Sequence, residues 1–171
     1  DVGCAEGYYA VGLARRIPCA RVHAYDIDEH SLSLCRQMAA LNGVGDRVAT
    51  GNHVDAATLQ ALDIRGRALI VCDCEGYERV LLTPALAAQF ATHDFVIEVH
   101  DFIDRSLSAE IRSRFASTHD IEVIRSVDDR EKARTYRYDE LKAYDQDARR
   151  LLLGEARPET MEWFVLTPKR Q

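Results

Sequence analysis

Apolar positions along this chain fall into short continuous runs separated by stretches with helical spacing. That alternation predicts an α/β domain with a mostly parallel sheet. Runs at 22–26, 68–73, 95–99, 121–125 and 162–167 read as strands, and 47–50 as a weaker one. The run Ala68-Leu69-Ile70-Val71-Cys72-Asp73 is nearly continuously apolar, as befits a strand covered on both faces. Helices are expected over 8–16, 29–42, 55–63, 78–90 and 107–117. Their ends carry signals: Pro18 stops the first, Asp28 and Glu29 open the second, and Asn42-Gly43 closes it. Thr83-Pro84 marks an interruption or restart within the fourth. The charged segment 126–160 is expected to be a loop plus a helix over 139–153, and the final strand to run antiparallel to its neighbour. No repeat or linker divides the chain, so 1–171 reads as one domain.

Composition narrows the function. The balance of 22 basic against 28 acidic residues leaves a net charge of −6, which argues against a nucleic-acid binder. With 47% hydrophobic and 29% charged residues the chain is neither disordered nor of low complexity. No apolar run approaches the roughly 20 residues of a membrane span. Five cysteines, an odd number without regular spacing, point to reduced thiols in a cytoplasmic protein. Cys72 and Cys74 lack the second ligand pair a zinc site would want, and read as small side chains on a buried strand.

Chemistry concentrates at strand ends. Asp1-Val2-Gly3-Cys4-Ala5-Glu6-Gly7-Tyr8-Tyr9 places two glycines in a turn before a helix, where backbone N–H groups can approach a ligand closely. It is not the dinucleotide fingerprint, because Ala5 and Tyr8 stand where G-x-G-x-x-G needs glycine. That absence weighs against a nucleotide-dependent oxidoreductase. Asp26 ends the next strand, a position at which an acid can take both hydroxyls of a ribose. One acid before the glycine turn and one at the next strand end fit a ligand with a cationic amine and a nucleoside.

These residues resemble the FkbM-like group of class I S-adenosylmethionine-dependent methyltransferases. The glycine motif of that group is approximately D-V-G-A-N-x-G-x-Y, and stands here as Asp1-Val2-Gly3-Cys4-Ala5-Glu6-Gly7-Tyr8-Tyr9. Its approximate F-E-P resembles Tyr25-Asp26-Ile27, and its Ala-Leu-Asn helix ending stands as Ala40-Leu41-Asn42. Its D-x-E-G-x-E signature is met by Asp73-Cys74-Glu75-Gly76-Tyr77-Glu78, and its strand with a terminal Glu by Ile97-Glu98-Val99-His100. Cys4-Ala5 and Asp26-Ile27 depart from the usual Ala-Asn and Glu-Pro. The resemblance spans roughly positions 1–102.

The resemblance implies a doubly wound, Rossmann-like methyltransferase sheet and methyl transfer from S-adenosylmethionine, usually to oxygen on a sugar, polyketide or similar small molecule. Asp1, Gly3, Cys4, Ala5, Gly7 and Tyr8 would frame the methionine part, and Asp26 with Ile27 the ribose side. Asn52 and His53 would lie near the adenine, and Asp73 beside the methionine amine or the acceptor. A hydroxyl acceptor needs a base. His100 is the preferred one for its near-neutral pKa, with Glu98 and Glu75 as further catalytic candidates. Glu75 has a competing role as a helix cap, and Asp73, Glu98 and Asp101 are carboxylates of the kind Mg²⁺ prefers, although no metal ligand set is assigned. Segment 126–160, with Arg130, Arg134, Tyr136, Arg137, Tyr138 and Glu155-Ala156-Arg157-Pro158, would cover the acceptor. A non-catalytic, cofactor-binding remnant is the alternative that the altered Cys4-Ala5 leaves open. In this fold the strand before the glycine turn is central, so a short apolar run ending at Asp1 is expected upstream.

Overall fold

The computed structural model describes residues 1–155, 157 and 159–170. Helix α1 (Tyr8–Arg16) leads to strand β1 (Val22–Tyr25), α2 (Glu29–Leu41), β2 (Val48–Gly51) and α3 (Ala56–Gln60). Strand β3 (Leu69–Cys72) is followed by α4 (Glu78–Leu81), α5 (Pro84–Gln89), β4 (Asp94–Val99), α6 (Leu107–Phe115) and β5 (His119–Arg125). Helices α7 (Asp129–Thr135) and α8 (Gln146–Leu153) precede the last strand, β6 (Glu162–Pro168). Among the described residues, no helix is long and apolar enough to cross a membrane.

The strands form one interrupted, mostly parallel surface. β1 pairs with β2 in parallel, and β3 with β4 in parallel. β6 runs antiparallel between β4 and β5, as the sequence pattern predicts for the final strand. Val2 bridges Tyr25 of β1 and Cys72 of β3, both in parallel, so a single residue joins the two halves. Next to it lies a cleft of about 860 Å³, lined by Asp1, by apolar side chains including Ile17, Val22, Leu62, Ile64 and Ile70, and by charged ones at its rim. This cleft runs along β1 and β3 from their amino ends, and Asp1 is among the residues that line it.

Burial explains the strand order. Phe95, Ile97, Phe164 and Leu166 are fully buried, and with Phe115, Ile111 and Leu86 they form the core around β3, β4 and β6. A second cluster of Cys4, Ala10, Ala14, Leu32, Cys35 and Val44 packs α1 and α2 against β1 and β2. Caps fall where the sequence signals them: Asp28 accepts from the N–H groups of His30 and Ser31, and Thr83 accepts from Leu86 ahead of Pro84.

The charged segment departs from expectation. Instead of a loop and one helix over 139–153, it forms α7, a 3-10 turn over Asp139–Leu141, and the shorter α8. Asp128 accepts from Arg130 and Glu131 to start α7, and Asp145 accepts from Ala148 to start α8, which breaks the continuous helix. Acids in the first turn of α7 and bases in its last turn complete the signature that its charge density masked. Ala156 and Pro158 of the expected cover lie outside the described residues. His119 is buried between Phe95 and Phe115, with Nε2 against the His93 carbonyl.

Candidate functional site

The glycine turn is stitched to the carboxyl end of β1. Gly3 and Cys4 both donate their N–H to the Tyr25 carbonyl. Gly3 has φ +77°, and a Cβ there would stand 1.7 Å from the Asp73 carbonyl oxygen, so only glycine fits. Gly7 has φ +91°, and its absent Cβ would lie 2.6 Å from Cys35 Sγ. Between them Ala5 takes φ +43°, a left-handed conformation unusual for alanine. Its N–H donates to Asp26 Oδ2 at 2.8 Å, while the Asp28 N–H donates to Asp26 Oδ1 at 2.9 Å. The Asp26 carboxylate is thereby fixed in orientation.

Around this turn, Ile27 and Tyr8 are 79% and 78% exposed, an unusual position for such large apolar surfaces. Asn52 and His53 follow β2 and are also exposed. His53 Nε2 lies 3.3 Å from the Tyr77 hydroxyl, and the two rings meet edge to face, which joins the loops after β2 and β3. Both carboxylate oxygens of Asp1 are buried without a hydrogen-bond partner.

The ends of β3 and β4 bring the other residues together. His100 is buried, with Nδ1 2.6 Å from Oε1 of the fully buried Glu78. Its Nε2 faces Asp73 at 3.6 Å and Glu75 at 3.5 Å. Glu75 holds φ +51° and is followed by Gly76 at φ +98°, a tight reversal that turns the carboxylate back toward His100. Glu75 does not cap α4, whose N-cap, Tyr77, makes no side-chain cap bond. Glu98, also buried, is ion-paired with Arg157. Asp101 is not part of the group; its Oδ1 accepts from the Ser108 N–H at 2.8 Å, near the start of α6.

Electrostatics follow from this crowding. Burial, then the neighbouring Glu98, pushes the Asp73 carboxyl up to about 7. Burial alone would depress His100, but the hydrogen bond and charge of Glu78, with Glu75 and Asp73, raise it instead. Tyr9 is raised by burial and then by the charges of Asp73 and Glu98. Burial pushes the Cys4 thiol up to about 12, and the Cys72 and Cys74 sulfurs lie 3.3 Å apart. The Cys4 and Cys72 thiols, both raised, are neutral packing groups near neutral pH.

The structure therefore gathers the expected residues into two adjoining groups at the carboxyl ends of the strands. One is Asp1, Gly3, Cys4, Ala5, Gly7, Tyr8, Asp26 and Ile27; the other is Asp73, Glu75, Glu98 and His100. In open α/β sheets this edge is where ligands bind. Sequence reasoning assigned no site role to Glu78, and named Arg157 in the covering segment without foreseeing its pairing with Glu98. Glu78 stands within D-x-E-G-x-E, but at a helix start it resembles an ordinary first-turn acid.

No protein-family model matches the chain. It is similar over 108 residues, at 28% identity, to the tRNA1(Val) (adenine(37)-N6)-methyltransferase of Porphyromonas gingivalis, covering 62% of this chain and 42% of that one. Over 48 residues, at 44% identity, it is similar to the release factor glutamine methyltransferase of Synechocystis, covering 28% of this chain and 16% of that one. The chain thus spans less than half the length of these relatives. Precorrin-6y C5,15-methyltransferase from Geobacter metallireducens superposes with a TM-score of 0.64 at 12% identity, over 100% of this chain and 78% of that one. The O-methyltransferase TomG from Streptomyces achromogenes, solved in complex with SAM, superposes with a TM-score of 0.59 at 14% identity, over 97% of this chain and 71% of that one. The fold is the α/β, Rossmann-like fold of class I methyltransferases.

Proposed function

We propose that the chain is an S-adenosylmethionine-dependent methyltransferase domain acting on a hydroxyl of a small molecule. The observation that carries this reading is the pairing of an oriented acid at the end of β1 with a glycine turn, directly beside a cluster of proton acceptors. The donor set fits the cofactor chemically. Asp26, held by two backbone N–H groups, keeps lone pairs on both oxygens for a ribose diol. The orphaned Asp1 carboxylate suits a cationic amine, exposed Ile27 offers an apolar face to the adenine, and Asn52 and His53 rim that side. Gly3, Cys4, Ala5, Gly7 and Tyr8 let the backbone come close to the methionine part. When bound, S-adenosylmethionine supplies a methyl group already activated by a positive sulfur, so the chain needs chiefly to orient the acceptor and remove its proton.

With no cation bound, proton removal falls to Asp73, Glu75 and His100, whose acceptor atoms converge. His100 works within this group, because Nδ1 is engaged by Glu78 and Nε2 faces the two carboxylates. Glu98 is ion-paired with Arg157 beside this group. Arg157 belongs to the 126–160 segment, which supports its role as a cover. A net charge of −6 favours a small-molecule acceptor over the RNA substrates named among the relatives. The five cysteines are all free, in keeping with a cytoplasmic setting.

The test is transfer of labelled methyl from S-adenosylmethionine to panels of hydroxylated metabolites, tRNA, rRNA and protein. Methyl ethers formed on a small molecule support the proposal. Label confined to RNA or protein overturns the acceptor class. Cofactor binding with no transfer to any panel identifies the remnant.

A further inference from the structure

We propose that Asp73, Glu75 and His100 form a binding site for one divalent cation of the Mn²⁺ or Zn²⁺ kind. Each residue offers one ligand atom, and the three atoms lie within 4.8 Å of one another. The two measured edges, 3.6 Å from His100 Nε2 to Asp73 and 3.5 Å to Glu75, exceed the distance of a good charge-assisted hydrogen bond, about 2.8 Å. They match the edge of a tetrahedron whose centre is about 2.1 Å from each corner, roughly 3.4 Å. All three atoms can serve as acceptors, and among the described residues neither carboxylate pairs with a Lys or Arg; Arg157 goes to Glu98 instead.

A second observation stands apart from this cluster. Glu78 is fully buried, and its Oε1 lies 2.6 Å from His100 Nδ1. A carboxylate behind the remote nitrogen of a histidine is the usual outer partner of a metal-ligating imidazole; it fixes the ring and directs the Nε2 lone pair outward. Here Nε2, on a ring only 2% exposed, is aimed between Asp73 and Glu75. Three protein ligands leave at least one coordination position open, as catalytic rather than structural sites do. Glu75, with a side chain 77% exposed, marks the side from which a cation or an acceptor oxygen would enter.

The use of the cation rests on the methyltransferase reading. With a cation bound, Asp73, Glu75 and His100 would serve as its ligands in place of their role as proton acceptors. An acceptor hydroxyl that became a further ligand would then ionise more readily, its O–H bond breaking and its proton passing to water on the open Glu75 side. The site itself does not depend on that reading.

The experiment is titration of the folded chain with Mn²⁺, following the loss of the free-ion electron paramagnetic resonance signal, with S-adenosylmethionine binding measured separately by calorimetry. One Mn²⁺ should bind per chain, and Glu75→Gln and Asp73→Asn should each weaken it at least tenfold. Glu75 is exposed, so its substitution leaves the core intact. Glu78→Gln should weaken binding by about 10–100-fold. Mn²⁺ that remains free at millimolar concentration, or binds equally well to Glu75→Gln, overturns the proposal. Stoichiometric Mn²⁺ binding without cofactor binding upholds the site and removes the methyltransferase reading; the reverse pattern does the opposite.

Discussion

Ala5 gives the sharpest quantitative test of the glycine turn. It sits at φ +43° between two glycines, with its side chain exposed and its N–H committed to Asp26. An L-residue in the left-handed region carries a cost of about 1–2 kcal/mol from the approach of Cβ to the backbone. Ala5→Gly removes that cost and adds about 0.5–1 kcal/mol of unfolded-chain entropy, leaving a net gain of roughly 0.5 kcal/mol. Ala5→Asn avoids the entropy penalty and tolerates the same conformation, so its gain should be larger, about 0.5–1 kcal/mol. No contact is lost in either case, because the hydrogen bond to Asp26 is made by the backbone. The control is Ala109→Gly, at an exposed position inside α6, which should destabilise by about 0.5–1 kcal/mol. Urea melts followed by circular dichroism resolve these differences, and thermal midpoints should move by roughly 1–4 °C in the corresponding directions. Destabilisation by both Ala5 variants, to the extent seen for Ala109→Gly, would refute the left-handed turn.

Further outcomes follow from other contacts. Gly7→Ala should destabilise by about 2–4 kcal/mol from overpacking and backbone strain, and Cys35→Ala in the same chain should restore only the overpacking part, since Cys35 Sγ stands 2.6 Å from the new Cβ; full restoration would contradict the strain. Glu78→Ala should cost about 3–5 kcal/mol in chemical denaturation because it strands buried His100, and a loss below about 1 kcal/mol would dismiss the buried pair. Asp104 is depressed to about 2, first by the Ser106 N–H and hydroxyl and then by Arg79. A folded-state pKa below the unfolded one gives stability that is present above about pH 4 and lost as pH falls toward 2, so Asp104→Asn should flatten the stability profile in that window; an unchanged acid limb would refute the assignment. A six-residue apolar strand fused ahead of Asp1 should enter the cleft between β1 and β3 and raise the melting midpoint, whereas a Gly/Ser segment of equal length should not.

Much of the architecture is legible because period and caps agree. Asp28, Thr83 and the β3 run each combine a local signal with burial, and the structure uses them as the pattern predicts. The two groups of site residues are legible for a related reason: acids at the ends of parallel strands converge on one edge. What escapes is long-range. Glu78 is buried only because α4 turns it beneath His100, and nothing in its spacing announces that contact. Arg157 reaches Glu98 from 59 residues away, and a charged segment reads as solvated until its partners are known. Glu75 looks like a cap because acids precede helices; its left-handed backbone sends it to His100 instead. The α7 start was hidden in the same way, by charge that resembles an exposed loop.

The most direct measurement of the central claim is calorimetric titration of the chain with S-adenosylmethionine and S-adenosylhomocysteine, paired with Asp26→Ala. One site per chain is expected, with affinity falling at least tenfold in Asp26→Ala. At a ligand concentration 100-fold above Kd, stability should rise by about 2.7 kcal/mol, or roughly 5–10 °C in melting temperature. A folded chain that shows neither heat nor shift with either ligand, and no difference on replacing Asp26, would contradict the account.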